Sequence, residues 1–287
     1  MSHLQTLSPE LLPNDNHHVP SAAVDALLAS REELNLTNLR RTREFIDNYF
    51  EITFFVPCRN EEAAILATLV KIKKVAEEVG ISYEILIYDD ASTDKTLDLV
   101  AYFHKQNPEV PLRLFARPKR KGLGYNYFAG AYEGYGKHYM MVCGDNSETE
   151  KSMHQLLSRR GKAEMIIPYF AELDSRTGFR RYLSRIFTIL VNGIGGFNLR
   201  YYNGTVLHFR KNICRWAPIS SGFAYQAELL SILLSEDKSY EQIQIDNNDR
   251  VVGFSRAFTF MNILSISHSL SQIFLRRMRR ILFPDAS

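Results

Sequence analysis

Apolar runs of strand length alternate along this chain with stretches of helical period. Ile52–Pro57, Tyr83–Tyr88 and His138–Cys143 are mostly apolar, as expected of strands buried on both faces of a parallel sheet, and Leu112–Ala116 reads as a fourth strand. Between the first two, Glu61–Val79 carries Ile65, Leu69, Ile72, Ala76 and Val79 at alternating steps of four and three, then Gly80. That spacing predicts an amphipathic helix with a glycine stop. Lys95–Gln106, with Leu97, Val100 and Ala101 inward and Ser92, Thr93 and Asp94 offered as caps, predicts a second helix, and Tyr125–Tyr135 a third. Strand and helix in alternation, joined by right-handed crossovers, predict an α/β fold with a mostly parallel, doubly wound sheet.

Beyond Glu148 the pattern is less regular. Helices are expected at Lys151–Arg159, Phe179–Ile194 and Phe223–Leu234, and strands at Glu164–Pro168, Thr205–Arg210 and Tyr240–Ile245. Residues 1–20 are polar and read as an arm with a solvated His17-His18 pair, followed by helices over Ala22–Glu33 and Thr37–Tyr49. The tail Phe258–Phe283 mixes apolar residues with Arg276, Arg277, Arg279 and Arg280. Three segments are therefore expected: an N-terminal arm and helical extension (1–50), the main domain (51–256) and a basic amphipathic C-terminal helix (257–287).

Composition narrows the class. With 287 residues and 45% hydrophobic content the chain can bury a sizeable core, and a net charge of +3 gives no reason to expect nucleic acid as a partner. Cys58, Cys143 and Cys214 have neither disulfide-framework nor zinc-site spacing, which fits a reducing cytoplasm. The first residues lack a basic start followed by an apolar core, and no window gives about 18 uninterrupted apolar residues, the length a spanning helix requires. The expectation is a cytoplasmic protein, soluble or peripheral on the cytoplasmic face of a membrane.

The chemistry gathers where strands end. Three runs stop in acidic residues: Arg59-Asn60-Glu61-Glu62, Asp89-Asp90, and Gly144-Asp145-Asn146-Ser147-Glu148. If the three strands are neighbours, their carboxyl ends share one crevice, where open α/β sheets bind ligands. Crowded carboxylates repel unless a cation or a hydrogen-bond donor sits among them, so a divalent metal and a polar ligand are expected. Asp145 and Glu148 are hard oxygen donors suited to Mg²⁺ or Mn²⁺ beside a phosphate, or else acids of a turn. Asp89 and Asp90 either receive the N–H of a base or a ribose hydroxyl, or cap the next helix and neutralise an arginine. The first turn, Cys58–Glu62, has no glycine, which argues against a dinucleotide cofactor. Gly122-Leu123-Gly124, behind Lys119-Arg120-Lys121, reads as a phosphate-facing turn or a solvated basic loop.

Pro57-Cys58-Arg59-Asn60-Glu61, Tyr88-Asp89-Asp90-Ala91-Ser92-Thr93-Asp94-Lys95-Thr96, Gly122-Leu123-Gly124-Tyr125-Asn126 and Gly144-Asp145-Asn146, in that order, resemble the motif series of the family 2 glycosyltransferases. The resemblance is nearest to dolichyl- or polyprenyl-phosphate sugar transferases and covers roughly Ile52 to Leu234. It implies a nucleotide-sugar-binding fold of the GT-A type, Mg²⁺ or Mn²⁺, and transfer with inversion from a UDP- or GDP-hexose to a polyprenyl phosphate or a glycolipid or polysaccharide acceptor. Pro57, Arg59, Glu61 and Asp89 would line the nucleoside pocket, Asp90 would read the base or ribose, and Lys121, Gly122 and Arg185 would face the diphosphate. Asp145 would hold the metal. Cys143 stands where the family's DxD pattern has its first acid if Asp145 is the second; in the other register Gly144 replaces the first acid and Asn146 the last. Either way one carboxylate is missing, and Asn146 or Glu148 is the expected compensating ligand.

Arg180, Arg181 and Arg185 fall where the resembled enzymes place arginines against the leaving diphosphate, and Arg181 is taken as the catalytic one. Glu228 is the one acid of Ser221–Glu228, which resembles the acceptor-side helix; it or Asp145 is the general base that a hydroxyl acceptor requires. A phosphate acceptor is already anionic. The tail lies on an anionic membrane surface, or packs on the core with a basic outer face. A homo-oligomer is left open. Two other readings follow from the residues: a catalytically silent sugar-nucleotide-binding scaffold, motivated by the altered DxD pattern, and a sugar-phosphate nucleotidyltransferase, disfavoured by the absent glycine loop.

Overall fold

The computed structural model describes residues 49–170, 178–216, 224–245 and 260–283. The expected arm and the helices at Ala22–Glu33 and Thr37–Tyr49 lie outside these residues, apart from Tyr49 itself. Two compact units are present. One holds the described residues up to Arg120 with Gly130–Asp145, the other Lys121–Ala129 with those from Asn146 onward.

β1 (Phe50–Cys58) is central in the first unit, with Ile52, Phe54, Phe55 and Val56 fully buried. It pairs in parallel with β2 (Tyr83–Asp89), from Ile52 opposite Tyr83 to Cys58 opposite Asp89. On its other side it pairs in parallel with β4 (Gly136–Met141), from Phe50 opposite Gly136 to Phe55 opposite Met141. β3 (Leu112–Ala116) pairs in parallel with β2, giving the order β3-β2-β1-β4. The three acidic strand ends thus come from adjacent strands, as the sequence pattern required. Each fully buried aliphatic or aromatic side chain here contributes about 1.5–3 kcal/mol of burial.

α1 (Ile65–Val79) buries Ile65, Leu69, Ile72, Val75 and Ala76 and ends on Gly80 in the left-handed conformation, whose amide and that of Ile81 return to Glu77 and Ala76. It starts four residues later than the periodicity predicts, because residues 61–64 form a turn in which the Glu61 and Glu62 amides are captured by the loop after β2, as described below. α2 (Thr96–Gln106) follows β2 and α3 (Leu123–Glu133) follows β3.

At the opposite end of the strands from the acids lies a buried polar network. Glu84 is 2% exposed and accepts from Arg113 at 2.8 Å, from the Thr53 hydroxyl at 2.7 Å and from the Tyr135 amide. Thr53 in turn accepts from the Gly136 amide at 2.9 Å. Only glycine fits at 136: a Cβ there would sit 2.3 Å from the Thr53 nitrogen. This close approach starts β4 at Gly136, two residues before the apolar run.

In the second unit β5 (Met165–Phe170) lies between β6 (Leu207–Phe209), antiparallel, and β7 (Tyr240–Ile245), parallel. α4 (Glu150–Leu157) is capped by the Thr149 hydroxyl, which accepts from Ser152 N at 3.0 Å. α5 (Gly178–Gly195) matches the predicted stretch within a residue, whereas α6 (Arg210–Cys214) is too short to show a period and truncates the strand expected to Arg210. α7 (Tyr225–Ser235) is buried on all sides from Tyr225 to Leu233, and α8 (Phe260–Leu282) packs against α5 and α7.

Candidate active site

The β1 and β2 ends are joined by the Asp90 amide, which donates to the Cys58 carbonyl at 3.0 Å; the β4 end is joined to β1 by the Gly144 amide, donating to Pro57 O at 3.1 Å. A Cβ on residue 144 would lie 3.0 Å from that oxygen and from Cys58 Cβ, so glycine lets this turn close onto β1. The Thr68 hydroxyl of α1 donates to the Gly144 carbonyl at 3.2 Å and steadies the turn from below.

Between the β1–α1 and β2–α2 loops runs a set of reciprocal hydrogen bonds. Asn60 N donates to Ser92 Oγ at 2.9 Å, Glu61 N to Thr96 Oγ1 at 2.9 Å and Glu62 N to Asp94 Oδ2 at 3.1 Å. In return Thr93 N donates to Asn60 Oδ1 at 2.8 Å and Lys95 N to Glu62 Oε2 at 3.0 Å. Ser92, Thr93, Asp94 and Thr96 therefore buckle two loops together. Burial pushes the Asp94 carboxyl up, but donations from Thr96 and from the Glu62 amide outweigh it and hold the group below the usual carboxylate range.

Asp89 and Asp90 divide their work. Asp89 is 1% exposed and accepts from Ser92, its amide at 3.0 Å and also its hydroxyl, closing a turn in which Ala91 takes φ 65°. Ser92, offered by the sequence as a helix cap, is thus itself the donor to Asp89. Asp90 pairs with Arg120 at 3.8 Å. Arg120, and Arg117 with its guanidinium 5.5 Å from the Tyr88 ring centre, are basic groups at this end of the sheet that the sequence reading did not single out. Their signal was the basic run Arg117–Lys121 after the β3 pattern. Pro57 and Glu61 are half-buried here, and Arg59, also half-buried, keeps a buried Nε with no hydrogen-bond partner.

On the six-residue turn after β4, ligand atoms of Cys143, Asp145 and Glu148 lie within 4.8 Å of one another. Glu148 is buried and accepts from Thr205 Oγ1 at 2.9 Å, a partner 57 positions away that no local pattern announces. Asn146, at φ 60°, has a buried Oδ1 without a hydrogen-bond partner. Two carboxylates and an unspent amide oxygen on one short turn suit a hard divalent cation such as Mg²⁺ or Mn²⁺. The Cys143 sulfur is the soft member of the set.

The remaining expected residues belong to the second unit. Lys121 lies 5.7 Å from the Tyr125 ring centre, and Gly122, at φ 90°, accepts from Asn126 N at 3.2 Å. Arg185 is exposed on α5; Arg181 is on the same helix, its side chain outside the described residues. Glu228, on α7, is 4% exposed with Oε2 unpartnered. Burial raises its carboxyl above the ordinary value, against opposing pulls from Arg276 and His268 of α8.

The model of the glycosyl transferase family 2 matches residues 53–213, more than half the chain. The chain belongs to that family. Among its relatives, a dolichyl-phosphate beta-glucosyltransferase of Trichomonas vaginalis is 24% identical over 217 residues, covering 69% of this chain and 64% of the relative. One of Dictyostelium discoideum is 28% identical over 130 residues, covering 44% and 39%. The chain thus spans less than two thirds of the length of these relatives. Among solved structures, glucosyl-3-phosphoglycerate synthase of Mycobacterium tuberculosis, in complex with Mn²⁺, UDP and phosphoglyceric acid, aligns with a TM-score of 0.59 at 14% identity, covering 86% of this chain and 84% of that one. Mannosyl-3-phosphoglycerate synthase of Rubrobacter xylanophilus gives 0.59 at 14% identity, covering 85% and 78%. At such identities the likeness is one of fold, and this family 2 member has the GT-A type.

Proposed function

We propose that the chain transfers a hexose, with inversion, from a nucleoside diphosphate sugar to a lipid-borne phosphate. The observation that carries the reading is the turn after β4, where Asp145, Glu148 and the unspent Asn146 oxygen supply hard donors at the end of a parallel strand. A Mg²⁺ or Mn²⁺ held there would neutralise charge on the departing diphosphate. Asp90 accepts from the base or ribose, with Pro57, Glu61 and Asp89 shaping that side of the pocket. The unpaired Arg59 N–H offers a charge-assisted bond to the donor. Lys121, the Gly122 turn, Arg181 and Arg185 supply cationic character for the diphosphate.

The named activity of the dolichyl-phosphate relatives supports a polyprenyl phosphate as acceptor, which attacks without help because it is already anionic. For a glycan hydroxyl instead, Glu228 is the base; its raised carboxyl pKa suits that task. The C-terminal helix would bring the chain to the cytoplasmic face of the membrane where such an acceptor resides.

One observation favours a second reading, a sugar-nucleotide-binding protein without turnover: Cys143 supplies sulfur where the family pattern has a carboxylate. Incubation with radiolabelled UDP- and GDP-hexoses, Mn²⁺ and a polyprenyl phosphate separates the two. Labelled lipid, or slow donor hydrolysis, is expected from the natural chain. Asp145→Asn should reduce either by at least about a hundredfold with the melting temperature little changed. Donor binding without any turnover in the natural chain would replace the first reading by the second.

A further inference from the structure

α8 has its polarity reversed relative to a helix that simply covers a core. At 3.6 residues per turn, Ser269, Ile273, Arg276, Arg277 and Arg280 share one face, and it is this face that meets the protein. Ile273 is buried, Arg277 Nη1 donates to the carbonyls of Gly193 and Ile194 at 2.6 and 3.0 Å, Arg280 Nη1 donates to Ser235 O at 3.3 Å, and the Arg276 guanidinium lies 5.4 Å from the Trp216 ring centre. The opposite face carries Phe274, Leu275, Met278, Ile281 and Leu282; Leu275 is 58% and Leu282 63% exposed. The expectation of a core-packed helix with a basic outer face is thereby inverted: Arg276, Arg277 and Arg280 turn inward and the apolar residues outward, with Arg279 exposed at the side.

α5, which packs on α8, repeats the arrangement. Val191 is buried, whereas Tyr182, Ile186, Ile189 and Leu190 form an exposed stripe, Ile189 being 68% exposed. Two contacting helices with outward apolar stripes leave more apolar surface in water than scattered surface residues would. Charge selects the occupant. Neither helix contains an Asp or Glu, and among the described residues Arg185 and Arg279 are exposed beside the stripes. Among the described residues no helix is long and apolar enough to cross a membrane.

We propose that the outward faces of α5 and α8 together form a docking surface for an anionic lipid leaflet, with Tyr182, Ile186, Ile189, Leu190, Phe274, Leu275, Ile281 and Leu282 entering the headgroup boundary and Arg279 meeting lipid phosphates. The proposal rests on the lipid-acceptor reading for its purpose, but its apolar side chains are distinct from the groups assigned to the donor.

The test is flotation of the full chain with vesicles of phosphatidylcholine alone and of phosphatidylcholine with phosphatidylglycerol. The natural chain is expected to float with the anionic vesicles, less so as salt is raised. Leu275→Gln/Leu282→Gln and, separately, Ile189→Gln should lower the partition coefficient, the double variant by about a hundredfold, since each buried leucine is worth about a factor of ten or more. Arg279→Gln should lower binding about fivefold, and on anionic vesicles only. Because these side chains face solvent, thermal unfolding should be unchanged. Absence of flotation, or flotation unaffected by the stripe variants, overturns the proposal. So does sedimentation showing a dimer that the same variants dissociate without any lipid binding. Donor hydrolysis is measured in solution on the same samples: turnover without flotation sinks the docking surface alone, and flotation without turnover or donor binding sinks the transferase reading alone.

Discussion

Single residues on the turn after β4 carry the proposed metal site. Cys143, Asp145 and Glu148 already converge there, so Cys143→Asp adds a third carboxylate to a cluster spanning under 4.8 Å. Without metal the added charge is repelled and the melting temperature should fall; with Mn²⁺ it should recover, with a larger metal-dependent gain than in the natural chain, as thermal shift against Mn²⁺ concentration would reveal. Equal metal response in the two proteins would contradict this ligand set. Glu228 yields a prediction in pH. Its burial favours the protonated form, so the stability this contributes is present below its ordinary value of 4.5 and is lost as pH rises through the higher folded value. If a hydroxyl acceptor is used, kcat/KM climbs over the same interval, and Glu228→Gln abolishes the climb. A phosphate acceptor leaves the pH limb of Glu228→Gln unaltered. The sequence alone marks Asp145 by its place after an apolar run ending in glycine, but not the Thr205 bond that fixes Glu148 or the vacant Asn146 oxygen, because both depend on how distant segments fold onto the turn.

Among the elements, the strands were legible and the loops were not. Continuous apolar runs give β1, β2 and β4 because both faces of those strands are covered; their adjacency is a matter of long-range pairing, β1 lying between β2 and β4. In the sequence Ser92, Thr93 and Asp94 read as candidate caps for the next helix. The segment from Ser92 to Thr96 instead fastens the β2–α2 loop to the β1–α1 loop, a reciprocity between segments over 30 residues apart that local capping rules cannot express. Asp94 is the centre of that fastening. Asp94→Ala should cost about 1–3 kcal/mol in urea unfolding and raise the KM for the donor more than it lowers kcat, since it loosens the walls of the nucleoside side rather than the reacting groups. In the natural chain this contribution is complete above the usual carboxylate range and disappears as pH falls through the lower folded value of Asp94.

At the largest scale, the first unit rests on a hydrophobic sheet with a costly polar knot at Glu84. Arg113→Met would leave Glu84 buried without its counter-ion and should lose about 3–5 kcal/mol, while adding Glu84→Gln should recover much of it, because a neutral amide no longer needs the cation. Denaturant titration of both variants checks the pair; equal stability of the two would refute it. The helices α5 and α7 end in carbonyls that Arg277 and Arg280 of α8 satisfy. The tail is therefore a brace as well as a surface, which sets a rule for handling the protein. Shortening the chain before Phe274 to gain solubility would uncap two other helices and deliver a damaged fold. Repainting Leu275 and Leu282 with polar side chains would remove the greasy exterior and leave the brace in place.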